Sequence, residues 1–408
     1  MFLITIAPVH ATDGTTQSIS NVIEQISITG LRRTRPDIIL RELGLKKNEI
    51  LTPDKLSGAI QNLENLRLFS HISSELKIDR DNRAHIEIKL REKWTTIPIF
   101  NYTQGGETSY LVAGLYDINL AGKYVETGAQ YESWNGKPGG VIWFRNPRLL
   151  NKHIHISGDL WSVRRPRLLF DENGNQITQY LLNRKKMNFA LEFDIKTLLT
   201  IGAGIETNLD TLNLTSIMQP LIKTTHYSES YLSHISLKYG KINFGQIHSE
   251  GSETQLKLSQ SLPVNNSALA FSRILFSYQR FYKLPRQHNL AIQYRTGATN
   301  AKNLQHQFFL GGLSQVRGYS ASQLTGKAFA QSNIEYRARI GKTTRLIPQA
   351  NLFIDAAVVD SGQYLYSAGV GFRIIAPEVY RFTNRLDIAL HTSHPSLSRI
   401  SFGVQQFF

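Results

Sequence analysis

The sequence predicts a small α+β domain followed by an all-β, 16-stranded antiparallel transmembrane barrel. Helical periodicity is confined to residues 20–93, whereas 94–408 is a series of short alternating segments separated by Gly, Asn, Asp and Pro. A barrel strand needs only about ten residues to cross a bilayer, so this second part has room for 16 strands with their turns. We therefore divide the chain into 1–19 (signal-peptide remnant and linker), 20–93 (the small domain) and 94–408 (the barrel).

The composition of the 408-residue chain excludes several classes of protein. It contains no Cys, which rules out disulfide frameworks, thiolate metal sites and Cys nucleophiles. No run approaches the roughly 18 apolar residues of a membrane-spanning helix. A mean hydropathy of −0.24 is compatible with barrel strands, which alternate apolar and polar residues. The net charge of +15 is dispersed in short pieces such as Arg32-Arg33, so we expect no nucleic-acid partner.

The N-terminal residues 1–11 form a short apolar stretch that ends in Val9-His10-Ala11, a pattern acceptable to signal peptidase. The stretch lacks the positive charge with which a signal peptide begins. Two interpretations stay open: the tail of a signal peptide that starts upstream, or an ordinary disordered terminus.

The small domain is predicted to have the order β-α-α-β-β. Alternation at 26–28 indicates a strand that ends at Gly30. A first helix follows, with Pro36 near its start and Gly44 as C-cap. Two alternating strands close the domain, near 72–78 and 84–90.

The second helix of this domain has the clearest signal. Thr52 is a good N-cap and Pro53 suits the first helical position. An apolar face then follows at spacings of three or four, formed by Leu56, Ile60, Leu63 and Leu66.

The strands of the second part alternate well enough to assign faces near the C-terminus. In 328–340, Glu335 shares one face with other polar residues, and Ile334 shares the other face with apolar ones. Asp355 lies on the polar face of its strand in the same way. The pattern also fits a soluble sandwich, which would reverse inside and outside. The sixteen strands are expected near 97–103, 110–118, 124–134, 140–146, 153–164, 182–194, 199–209, 231–240, 252–261, 268–281, 288–297, 328–340, 350–359, 364–375, 384–392 and 399–408.

The small domain resembles a POTRA domain in its element order and in the apolar helix that leads into Leu68-Phe69. POTRA domains are periplasmic modules that recognise polypeptides and precede the barrels of the BamA/TamA-type outer-membrane assembly and translocation superfamily. A small sheet covered by two helices leaves strand edges that can pair with an extended segment. A generic α+β domain with a structural role is the alternative on this segment alone.

The segment 298–326 carries the most specific motif, Val316-Arg317-Gly318-Tyr319. It resembles the VRGF/Y motif in the sixth extracellular loop of the same superfamily, where the loop folds into the barrel and its arginine meets acidic residues of the inner wall. The resemblance implies that Arg317 anchors the loop. It also implies that Glu335 and Asp355 are the wall partners, with Ala357 where the family commonly has Gly.

The residue types suit that role. Arginine is always charged and its planar fork can hold a carboxylate with two hydrogen bonds, whereas lysine offers a point charge. Gly318 allows a sharp turn close to the wall. The alternative is an ordinary Arg-Gly turn at the surface.

Two further segments resemble the superfamily. Gly114 to Gly122 resembles its G-x-x-D-x-N-x-x-G hairpin turn, and Asn146-Pro147 resembles the turn before its fifth strand. At the C-terminus, Gly403 and Phe408 match the targeting signal of outer-membrane barrels, although Gln406 stands where an apolar residue is usual.

The seam between the first and last strands is the predicted place of activity. Pro98 cannot donate a ladder hydrogen bond and Gly403 weakens the closing strand, while Phe408 ends it. We expect the seam to open sideways, so that an incoming strand pairs with the first strand.

The resemblance implies an assembly or translocation factor of the bacterial outer membrane, with its POTRA-like domain in the periplasm. Its partners would be unfolded outer-membrane or secreted polypeptides, outer-membrane lipid and periplasmic accessory proteins. A two-partner-type secretion pore is the alternative, and a passive porin or structural surface antigen is a third possibility. We expect no enzyme activity, cofactor or metal: His153 and His155 face one way on a strand, but no third ligand is placed nearby.

Overall fold

The structure is a computed structural model. It describes residues 21–105, 108–134, 136–171, 176–213, 227–245, 247–264, 269–312, 315–341, 343, 345–391 and 399–404. The predicted signal-peptide remnant and linker, residues 1–19, lie outside these residues, as does Phe408.

The N-terminal domain is a four-stranded sheet in the order β2-β1-β4-β3. Its elements are β1 (Asn21–Thr29), α1 (Pro36–Leu43), β2 (Ile50–Leu51), α2 (Pro53–Leu66), β3 (Phe69–Ile78) and β4 (Arg83–Glu92). The predicted order omitted β2, because a strand of two residues is too short to show alternation and is defined by its pairing with β1. As the sequence predicts, Gly44 closes α1 with a φ of 66° and Thr52 caps α2 by accepting the Lys55 N–H.

The barrel is a 16-stranded antiparallel sheet that runs in chain order from β5 to β22, apart from a small hairpin, β16 with β17. The predicted fold class is therefore confirmed. No helix in the described part of the chain is long and apolar enough to cross a membrane. The strands are β5 (Thr96–Gly105), β6 (Thr108–Asp117), β7 (Glu126–Trp134), β8 (Lys137–Asn146), β9 (Ile154–Phe170), β10 (Gln176–Lys196), β11 (Leu199–Asn213), β12 (Tyr227–Phe244), β13 (Ser249–Ser261), β14 (Ser272–Leu284), β15 (His288–Thr299), β16 (Phe308–Leu310), β17 (Leu324–Gly326), β18 (Ala328–Arg339), β19 (Ile347–Val359), β20 (Tyr364–Ile375), β21 (Thr383–His391) and β22 (Arg399–Val404).

The two faces of the sheet have the polarity of a membrane barrel. Aliphatic side chains such as Leu352 and Leu390 are more than half exposed on the outer face. Charged side chains of the same strands are fully buried on the inner face, among them Asp355 and Asp387. A soluble sandwich would bury the aliphatic face and expose the charges, so this arrangement excludes that alternative.

One hairpin is longer than predicted. Strands β9 and β10 continue beyond the expected 153–164 and 182–194, pairing as far as Phe170 with Gln176. The added residues include Arg165 and Arg167, and charged residues of this kind are more typical of a loop than of a membrane-spanning strand. The apolar alternation that the prediction used fits the lipid-facing part of a strand, whereas backbone pairing continues past it.

The N-terminal domain is docked on the ends of several barrel strands. Arg33 forms an ion pair of 2.6 Å with Asp117 at the end of β6. Glu42 of α1 accepts two hydrogen bonds, of 3.0 and 3.1 Å, from Arg148 after β8. Asn65 of α2 accepts the Phe244 N–H at the end of β12. These contacts fix the small domain at the end of the barrel where the chain enters the sheet.

Candidate functional site

The long connection between β15 and β18 folds against the inner face of the barrel. Its β16–β17 hairpin packs into an apolar cluster with barrel side chains. Val316 of the connection is completely buried there, next to Ala357 of β19. Close packing is thus achieved with Ala at this position. We call residues 300–327 the lumenal loop.

Arg317 lies at the centre of this loop and is fully buried. Its Nε and Nη2 donate to the two carboxylate oxygens of Asp355 at 2.7 and 2.8 Å, and its backbone N–H adds a third bond of 3.1 Å. Nη1 donates to Glu335 at 2.5 Å. The guanidinium also stacks 3.6 Å from the centre of the Phe353 ring. The structure therefore brings together the three residues that the sequence singled out.

The charge of Arg317 is balanced from several strands. Burial alone would lower the pKa of its guanidinium, but the hydrogen bonds to Asp355 and the charges of Glu335, Asp355 and Asp387 outweigh that effect and raise the pKa. Asp387 lies 3.7 Å away on β21. The arginine thus stays charged at any pH that the protein meets.

A second layer of side chains holds the wall carboxylates. Glu335 accepts hydrogen bonds from Arg337 at 2.8 Å and from Arg373 at 2.6 Å. Asn333 donates to Asp355 and to the Gln315 carbonyl, both at 2.8 Å. Alternation in the sequence places Asn333 and Arg337 on the same face as Glu335, but it does not identify them or Arg373 as partners of the wall carboxylates.

The residues after Arg317 complete the turn. Gly318 has a φ of 90°, a conformation that residues with a side chain rarely adopt. The hydroxyl of Tyr319 donates to the Tyr366 carbonyl of β20 at 2.8 Å. The motif Val316-Arg317-Gly318-Tyr319 therefore contacts β18, β19 and β20 together.

A second attachment of the loop lies on another part of the wall and was missed in the sequence. Arg184 of β10 donates two hydrogen bonds of 2.7 Å to Asp210 of β11 and one of 3.1 Å to the Gln305 carbonyl. Arg273 of β14 donates to the His306 carbonyl at 2.9 Å. Bonds to backbone carbonyls leave no sequence motif, which explains the omission.

The ends of the 16-stranded sheet are β5 and β22. Thr96 of β5 lies opposite Asp117 of β6, so Thr95 lies opposite Ile118. The Ile118 N–H donates to the Thr95 carbonyl, which makes this pair a hydrogen-bonded position of the ladder. Because hydrogen-bonded positions alternate along an antiparallel pair, the nitrogen of Pro98 points away from β6, towards the edge of β5 that has no partner strand in the described part of the chain. That edge therefore lacks one donor.

The other end of the sheet is β22. In the described residues, β22 pairs with β21 from Arg399 to Val404, and Gly403 lies opposite Arg385. Phe408, the third seam residue proposed from the sequence, lies outside the described residues.

The other resemblance motif lies at the domain junction. Asp117 accepts the Asn119 N–H at 2.7 Å and thereby forms the turn, and the Asn119 amide donates to Thr34 of the small domain at 2.9 Å. Gly122 has a φ of 72°, and a side chain there would lie 2.0 Å from the Arg33 carbonyl.

The two strand histidines share one carboxylate. His155 Nε2 lies 2.9 Å from Asp194 Oδ2, and His153 Nδ1 lies 3.6 Å from the same oxygen. Among the described residues, no group of three or more His, Asp or Glu is placed to hold a metal ion.

Two family models match this chain, one in each of its domains. Residues 121–408 match the family model of the Omp85 superfamily domain, and 21–93 match a POTRA model described as a surface antigen variable number repeat. The outer membrane protein assembly factor BamA of Nitratidesulfovibrio vulgaris is 23% identical over 342 residues, which are 77% of this chain and 41% of that protein. The chain thus spans less than half of this relative.

Solved structures support the same fold. BamA from Haemophilus ducreyi lacking POTRA domains 1–3 has a TM-score of 0.55 at 14% identity and covers 94% of this chain and 83% of its own. CdiB from Acinetobacter baumannii has a TM-score of 0.57 at 12% identity and covers 94% of this chain and 72% of its own. The family models place the barrel in the outer membrane and the POTRA domain in the periplasm. The chain belongs to the Omp85 superfamily.

Proposed function

We propose that this protein inserts polypeptides into the outer membrane, or translocates them, by non-covalent strand capture at the seam between β5 and β22. The edge of β5, which pairs with no strand other than β6 among the described residues, is the observation that carries the proposal. A strand edge presents unpaired N–H and C=O groups that an incoming strand can bond without regard to its side chains. The nitrogen of Pro98 points to this edge and provides no donor, so any strand that pairs there has one backbone hydrogen bond fewer.

The lumenal loop supports the proposal by holding the wall near the seam. Arg317, Glu335 and Asp355 would anchor the loop, and the contacts reach Asp387 on β21, the neighbour of the last strand. A wall fixed up to β21 confines any opening to the seam. Clients would be outer-membrane or secreted polypeptides, first met by the exposed edge of β3 in the POTRA domain.

A disulfide across the seam tests the mechanism. The chain has no native Cys, so a Cys pair placed between β5 and β22 gives the one possible disulfide. We expect the oxidised protein in proteoliposomes to fold no outer-membrane barrel client and to recover when reductant is added. A pair between β6 and β7 is the matched control, since those strands are already bonded. Full activity of the oxidised seam variant would refute strand capture.

The same experiment separates the alternative, a two-partner-type secretion pore that exports one polypeptide through the lumen. Such a pore would still export with the seam locked but would depend on the position of the loop. The activity of a passive porin or structural surface antigen would be changed neither by the seam disulfide nor by Arg317→Ala. Crosslinked clients from outer membranes add identity: many unrelated barrels indicate insertion, and one large secreted protein indicates export.

A further inference from the structure

A cavity of about 250 Å³ lies between the POTRA domain and the inner end of the barrel. Its wall joins the end of α2, the turn after β12 and the segment after β20. Among the described residues that line it there is no Asp or Glu, whereas five are basic: Arg67, Lys93, His248, Arg337 and Arg381. The cavity is therefore strongly positive.

Two of the five basic residues do not need a further anion. Arg337 is bonded to Glu335 at 2.7 Å. Burial lowers the pKa of His248, and nearby Lys283 lowers it further, so this imidazole is neutral at pH 7. Arg67, Lys93 and Arg381 remain.

These three cations have no carboxylate within 4.0 Å in the part of the chain that the structure describes. Glu378, the carboxylate that acts on Lys93, is bonded to Arg91 at 3.0 Å. The central carbon of the Arg67 guanidinium lies over the Phe244 ring, 3.3 Å from its centre. Stacking of this kind leaves the N–H edge of the guanidinium available for an oxyanion.

Burial and mutual repulsion lower the pKa values of two cations in the cluster. Burial, followed by repulsion from Arg67, lowers the pKa of Lys93 to about 8. Burial and repulsion from Arg381 lower the pKa of Arg67 to about 10. An oxyanion in the cavity would relieve both the burial cost and the repulsion.

We propose that the cavity binds an acidic side chain of a polypeptide that enters the barrel. This inference rests on the proposed function and adds a preference for clients that carry an acidic residue. The cavity reaches the inner wall of the barrel, where Gln279, Phe281 and Arg337 line it. Apolar walls beside the cations, formed by Phe244, Phe281 and Phe382, suit the apolar neighbours of an acidic residue in an alternating strand.

Peptide binding to the full chain in nanodiscs tests the site. The probe is a fluorescent peptide in which Glu alternates with Phe, compared with the same peptide carrying Gln. We expect the Glu peptide to bind about tenfold more tightly or better. Arg67→Gln combined with Lys93→Gln should remove this preference, and Arg381→Gln alone should reduce it. Arg32→Gln combined with Arg80→Gln, at exposed positions outside the cavity, makes the same change in charge and should leave the preference intact.

Equal affinity for the two peptides, or a full preference in the double variant of the cavity, would overturn the proposal. Displacement of the peptide by phosphatidylglycerol in the nanodisc, but not by phosphatidylcholine, would also overturn it and assign the cavity to a lipid phosphate. The single Arg381→Gln variant keeps the test valid if the double variant fails to fold. The result is independent of the seam experiment: a preference for Glu can persist in a seam-locked protein, and client folding can persist without that preference.

Discussion

Replacing Arg317 by Ala should release the lumenal loop from the barrel wall. The change removes three side-chain hydrogen bonds of 2.5 to 2.8 Å and the stacking on Phe353. Glu335 keeps Arg337 and Arg373, so its charge stays balanced. Asp355 keeps the Asn333 amide but loses its guanidinium partner inside a buried site. Removing one partner of a buried ion pair costs about 3–5 kcal/mol. That cost corresponds to roughly two to four orders of magnitude in the population of the released loop.

Hydrogen exchange of loop amides in the intact protein measures this release. We expect faster exchange at residues 316–319, less so for Arg317→Lys, which keeps the charge without the bidentate geometry. Asp355→Asn in the Ala background should restore part of the protection, because it removes the unbalanced carboxylate. Arg165→Ala is the matched control, since Arg165 pairs with buried Glu132 elsewhere on the inner wall. Unchanged exchange in Arg317→Ala, or no rescue by Asp355→Asn, would refute the reasoning.

Three further outcomes are expected. Arg184→Ala should raise hydrogen exchange at 303–307 while 316–319 stays protected, because the bond from Arg184 to the Gln305 carbonyl holds the first half of the loop. Equal exchange in both halves of the loop would contradict two separate attachments. Gly122→Ala should undock the POTRA domain without unfolding it, since the added carbon would lie 2.0 Å from the Arg33 carbonyl; spin-label distances between the domains check this, and unchanged distances would speak against it. Affinity for the Glu peptide should fall from about pH 7 to about pH 9, because Lys93, with a pKa of about 8, loses its charge in that interval; a flat profile would show that Lys93 does not contribute.

The barrel could be predicted from sequence because polar and apolar residues alternate within each strand, which separates the two faces of that strand. Glu335 and Asp355 alternate with apolar neighbours, and the structure places both on the buried inner face. Alternation alone does not distinguish inside from outside, since a soluble sandwich has the same period. The exposed aliphatic face settled that question, as shown by Leu352 and Leu390.

The parts that the sequence did not reveal depend on residues far apart in the chain. Arg184 holds the loop through a backbone carbonyl 121 positions away, and such a bond leaves no pattern in either segment. The cationic cavity combines Arg67 of the POTRA domain with Arg381 of the barrel, and neither is notable in its own segment. Strand β2 likewise exists through pairing with β1 rather than through its own two residues. Local patterns predict elements, whereas these features arise from how the elements are assembled.

The two attachments of the lumenal loop determine which part of the sheet can open. One attachment joins the loop to β18, β19 and β20 through Arg317 and Tyr319, and the other joins it to β10 and β14 through Arg184 and Arg273. A loop bonded to two separate parts of the wall braces the barrel across its lumen, so deformation of that wall would break buried charge-assisted bonds. Opening between β5 and β22 would instead act on backbone hydrogen bonds, each of which contributes about 0.5–1.5 kcal/mol net, and would leave these contacts of the loop intact. The energetic contrast between a braced wall and backbone bonds at the seam is the physical reason for proposing capture there and not elsewhere in the sheet.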